Sequence, residues 1–111
     1  MLLAIVSDAA ATQNLLKSLS EADFNLVDVS VIMQDDSVRN KIARDAGPLQ
    51  GVGPAGLLDA LQEAGASRTD AKRCADAVVG GKVLVAVKVV PKNRQAAREM
   101  LADHSAEIMS A

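Results

Sequence analysis

Gly51-Val52-Gly53-Pro54-Ala55-Gly56 fits the pattern G-x-G-x-x-G. At this spacing a tight turn and close backbone approach let N–H groups at a helix start meet a pyrophosphate. That chemistry needs the glycines directly after a strand, and an acidic residue ending a second strand about 20 residues on. What precedes here is a helix end and a proline turn, Ala43 to Gln50, and Asp70 is better used in a helix cap. The stretch therefore reads as a helix–helix connection, and no G-x-x-x-x-G-K-[ST] loop accompanies it. Cys74 is the only cysteine and falls on an apolar helical stripe, which predicts a buried, inert thiol rather than a nucleophile. His104 is the only histidine, placed in a last helical turn where it complements the helix dipole. Asp35-Asp36 follow a strand and read as helix-capping residues rather than an acid/base pair. One histidine and one cysteine leave a zinc site short of its usual ligands. No catalytic, cofactor-binding or metal residues are assigned, and no cofactor is expected. Lys88, Lys92, Arg94 and Arg98 follow one another closely and form a candidate patch for an anion or an acidic partner.

The elements that must carry these residues fit one domain of 111 residues, half of it hydrophobic. Phe24 is the only aromatic residue, so the core is aliphatic and base stacking lacks its usual side chains. Net charge is −2, which argues against nucleic acid as a partner. The charge is uneven: residues 1–67 carry four Lys or Arg against nine Asp or Glu, whereas residues 68–98 carry eight against two. The lone cysteine and the absence of a signal pattern or an apolar stretch of spanning length predict a cytoplasmic protein without a membrane partner.

Leu2–Val6 is apolar throughout and reads as a strand covered on both faces. Asp8 caps a helix with Ala11, Leu15, Leu19 and Ala22 on one stripe, widened by Leu16. Residues 25–33 alternate, with Val27, Val29, Val31 and Met33 opposite Asp28 and Ser30, and predict a half-exposed strand. A short helix with Val38, Ile42 and Ala46 is ended by Gly47-Pro48. Two more helices follow, one with Leu57, Leu58, Leu61 and Ala64, the other with Ala71, Cys74, Ala75 and Val78 after a Ser67–Asp70 capping box. Residues 82–90 form the strongest strand, 94–104 a helix with Ala97, Met100 and Leu101 inward, and 106–109 a short edge strand.

This order predicts an α+β, ferredoxin-like βαββαβ sandwich with a four-stranded antiparallel sheet and a helical insertion at about 34–81 between the second and third strands. Strands one and three are central in that topology. Two helices cover only one face, so if Val83, Val85 and Val87 face them, Leu84 and Ala86 on the other face would leave an apolar patch. The inserted helices or a second copy must cover it, and a homo-oligomer, most simply a dimer with Leu84 and Ala86 at the contact, is the expectation.

"LLAIVSDAAATQNLLKSLSEADFNLVDVSVIMQD", the glycine-punctuated middle and "AGASRTDAKRCADAVVGGKVLVAV" resemble the bacterial general-stress and heat-induced stress small domains. The strongest stretch is Gly80-Gly81-Lys82-Val83-Leu84-Val85-Ala86-Val87. This resemblance implies a ferredoxin-like unit with a glycine-rich insertion and supplies no catalytic residues. Where such domains often carry tyrosines before that strand, this chain has Arg73 and Cys74. The opening "LLAIVSD" with its helix is also similar to PII-like nucleotide-sensing proteins, which share the βαββαβ core and a long connection between strands two and three. Two functions are therefore expected: a non-enzymatic, self-associating stress-type domain, or a PII-like regulatory protein that binds a small ligand or nucleotide.

Overall fold

The computed structural model describes residues 1–104 and 106–110. Strand β1 (Leu2–Val6) leads into helix α1 (Ala9–Glu21), whose start is fixed by Asp8: its carboxylate accepts from the Ala11 N–H at 2.8 Å. Strand β2 (Val29–Ile32) is followed by helices α2 (Asp36–Ile42), α3 (Leu57–Glu63) and α4 (Arg68–Val79). Strand β3 (Val83–Val87), helix α5 (Arg94–Asp103) and strand β4 (Glu107–Ser110) complete the chain. The sheet order is β2-β3-β1-β4, and every neighbouring pair is antiparallel. The expected central pair, β1 and β3, is therefore the observed one.

Alternation along these central strands divides the apolar residues between two cores. Leu2, Ala4, Val6, Val83, Val85 and Val87 pack against Leu15 and Leu19 of α1 and Ala97 and Leu101 of α5. Leu3, Ile5, Leu84 and Ala86 pack on the opposite side against Leu57 and Leu61 of α3 and Ala71, Cys74 and Val78 of α4. The Val side of β3 thus faces α1 and α5. The other face is covered by the chain itself. Leu84 and Ala86 have no exposure, so the expectation that places them at a contact between two copies is corrected: α3 and α4 occupy that position.

The second strand is shorter than its alternation predicts. The Asn25 side chain accepts from the Val27 N–H and caps a 3-10 turn over Leu26–Asp28, which takes these three residues out of the strand. Val27 is thereby exposed rather than aligned with Val29 and Val31. All four residues of β2 are buried, so this strand is not half-exposed. Helix α2 ends at Ile42 rather than at Gly47, with Ala43 extended at φ −149°. Among the described residues no helix is long and apolar enough to cross a membrane.

Candidate functional site

The connection after α2 builds the most distinctive local structure. Val38, Ile42 and Ala43 pack on the α1/α5 core, whereas Leu49 and Leu57 lie in the α3/α4 core. Between Ala43 and Leu49 the chain therefore passes from one face of the sheet to the other, and it does so around β2, an edge strand. Ser30 fastens this strap. Its hydroxyl donates to the Ala46 carbonyl at 2.5 Å and accepts from the Leu49 N–H at 2.8 Å. Gly47 adopts φ +79°, and a Cβ there would lie 2.5 Å from the Val29 carbonyl carbon and 2.6 Å from the Ser30 nitrogen. Only glycine permits both the left-handed backbone and this approach. A strap across an exposed strand edge also obstructs pairing with another chain.

A depression flanks the strap on each side. The smaller, about 190 Å³, lies between the end of β2 and the glycine-rich stretch, beside Asp36, Arg39 and Asp45. Here the Gly51 N–H donates to the Asp45 carboxylate at 2.9 Å. The stretch follows the strap and leads into a 3-10 turn over Pro54–Gly56, so no strand delivers it to a ligand. The Asp35 carboxylate accepts from the Ser37 and Val38 N–H groups as the cap of α2, its expected role.

The larger depression, about 520 Å³, is a groove between the 3-10 turn and the end of α2. Leu16, Val29 and Val31 form its floor. Leu26 and Val27 stand on one wall, 40% and 54% exposed. Asn40, Lys41, Ile42 and Arg44 stand on the other. Periodicity assigns Leu16, Val27, Val29, Val31 and Ile42 to strand or helix faces and does not mark them as lining a groove. The available signal was the Leu26-Val27 doublet behind Asn25, which breaks the two-residue alternation and marks a capped turn.

The residues singled out for reactive chemistry are held in packing roles. Cys74 is fully buried with its sulfur 3.9 Å from that of Met109. Burial, followed by the charges of Asp70 and Glu107, pushes the thiol up to about 11 against the opposing pull of Arg73. His104 follows α5 as its C-cap, with Nε2 2.9 Å from the Ser18 hydroxyl, and ties α5 to α1. The four basic residues are distributed over the end of β3, the following 3-10 turn and α5. Lys88 continues β3, where its N–H donates to the Asp28 carbonyl at 2.9 Å. Arg94 donates to the Ser110 hydroxyl of β4 at 2.7 Å. With β1 between β3 and β4, those anchor points are about 10 Å apart at ordinary strand spacing. Arg98 is one turn from Arg94 on α5, and Lys92 sits in the preceding 3-10 turn. Among the described residues no group of three or more His, Cys, Asp or Glu is placed to hold a metal ion. No protein-family model, curated protein or solved structure matches the chain.

Proposed function

We propose that this chain is a non-catalytic, small-ligand-binding regulatory module on a ferredoxin-like βαββαβ sandwich, with the long β2–β3 connection as its specialised part. The strand order and the shared placement of α1 and α5 on one face support the ferredoxin-like description. The resemblance to the bacterial general-stress small domains belongs to the same proposal, since it implies a similar core with a glycine-rich insertion. One observation carries the functional reading: the strap leaves a groove of about 520 Å³ with an apolar floor and a polar rim, a size and make-up typical of small-molecule sites. The packing roles of Cys74 and His104 favour binding over catalysis. Between the two functions expected from the sequence, this moves the preference to ligand binding. The sheet face that motivated self-association lies under α3 and α4.

The test is thermal unfolding followed by circular dichroism against a panel of nucleotides, small anions and amphipathic carboxylates. A ligand at one hundred times its Kd adds about 2.7 kcal/mol to the stability of the folded state, which raises Tm on the order of 10 °C for a domain of this size. A panel without any stabilising compound at millimolar concentration overturns the reading.

A further inference from the structure

We propose that the groove beside β2 binds a small amphipathic carboxylate, with an apolar tail along Leu16, Val29 and Val31 and its head at Lys41 and Arg44. This rests on the ligand-binding reading above and specifies the ligand class.

The head group follows from the hydrogen-bonding capacity of the rim. The Asn25 side-chain oxygen accepts from the Val27 N–H at 3.1 Å, and the Asn40 side-chain oxygen accepts from Arg39 Nη2 at 2.5 Å. Each asparagine therefore turns its acceptor to the protein and keeps amide N–H donors for a ligand. Lys41 and Arg44 are exposed, and among the described residues neither has an ion-pair partner. No carboxylate lines the groove. The rim thus offers donors and positive charge, and its complement is an anionic head that only accepts. Lys41 lies in the last turn of α2, where a cation also complements the helix dipole. Arg44 lies beyond that helix, so the dipole does not account for it.

The tail follows from the walls. Leu26 and Val27 are among the few large apolar side chains left substantially exposed, and both face this groove. They stand over a floor of core residues, so an alkyl chain laid there covers apolar surface on two sides. A nucleotide is disfavoured because no aromatic ring lines the groove for a base to stack on.

The experiment is a methyl and amide NMR titration of the full chain with octanoate, 1-octanol and acetate. Octanoate is expected to bind saturably at one site, shifting Leu16, Val27, Val31 and Ile42, with acetate silent there. The paired variant Lys41→Gln/Arg44→Gln should weaken octanoate about tenfold and leave octanol unchanged, because two charged contacts to the head are lost and the tail contacts stay. A second variant, Val27→Asn, should weaken both compounds; its exposed position keeps the fold intact. Equal affinity for octanoate and octanol overturns the assignment, as do octanoate binding unaffected by the paired variant and shifts confined to other surfaces. If octanoate fails to bind while another compound of the thermal panel stabilises the protein, the carboxylate assignment falls and the ligand-binding reading stands. If the whole panel is flat, both fall.

Discussion

Replacing Gly47 by alanine tests whether the strap is a structural requirement. The new Cβ would sit 2.5 Å from the Val29 carbonyl carbon and 2.6 Å from both the nitrogen and the hydroxyl oxygen of Ser30. Two of these three neighbours are backbone atoms in a hydrogen-bonded strand, so the strap must move rather than β2. Movement breaks the hydrogen bonds from Ser30 Oγ to the Ala46 carbonyl and from the Leu49 N–H to Ser30 Oγ. An alanine held at positive φ costs about 1 kcal/mol or more. Loss of buried hydrogen bonds adds about 1–3 kcal/mol, so the expected destabilisation is about 2–4 kcal/mol. Gly51 is the internal control: φ is +80°, but an added Cβ there meets nothing within 4 Å. Gly51→Ala therefore carries only the conformational cost, about 1 kcal/mol. Urea unfolding followed by far-ultraviolet circular dichroism reads the difference, and at an ordinary m-value Gly47→Ala should lower the midpoint by roughly 2 M. Equal midpoints for the two variants would refute the reasoning, because they share the backbone angle and differ only in the approach to β2.

Cys74 should react with a maleimide at neutral pH only through unfolding, and rapid labelling of the native protein would contradict its burial. Its thiol is raised from 9.0 to about 11 in the folded chain, so the neutral form's contribution to stability is complete below about pH 9 and is lost as pH rises through about 11; Cys74→Ala should flatten that alkaline fall in urea titrations. Asp8→Ala should cost about 1 kcal/mol through loss of the α1 cap, read as a lower urea midpoint, and an unchanged midpoint would remove the cap from the account. Leu84→Lys should abolish cooperative unfolding, because a charge replaces a fully buried side chain opposite Ile5 and Ile32. A folded Leu84→Lys variant that merely converts a dimer to a monomer would reinstate the interface placed there from the sequence.

Much of the secondary structure is legible in the sequence because it is set locally. Of the stripe Ala71, Cys74, Ala75 and Val78, all but the half-buried Ala75 are buried as the spacing implies, and Asp8, Asp35 and Ser67 cap the helices they precede. Local pattern weakens where a side chain has a choice of neighbours. Ala22, assigned to the α1 stripe, is exposed, and Thr12 is buried in its place, its hydroxyl donating to the Asp8 carbonyl at 2.8 Å. A threonine can enter a core when its own helix supplies the acceptor. Helical periodicity also states that a face is buried without stating against what, which is why the sequence favours a second copy at the surface of Leu84 and Ala86, where the structure places α3 and α4.

Ser30 carries the same lesson into the candidate site. In an alternating strand a hydroxyl reads as a solvent-facing group, because water satisfies it. A backbone carbonyl and N–H satisfy it equally, and here they come from Ala46 and Leu49, 16 and 19 residues further along the chain. No short-range pattern distinguishes the two. The companion signal is Gly47, read from sequence as a helix stop when its geometry is that of a residue pressed against a strand. Once the chain crosses the β2 edge at that point, α2 is held on one face and α3–α4 on the other. The unfilled space then falls at the crossing, between the end of α2 and the turn capped by Asn25. The strap and the groove are thus two consequences of one close contact. A change at Gly47 should perturb ligand binding together with stability, whereas a change at Lys41 or Arg44 should perturb binding alone.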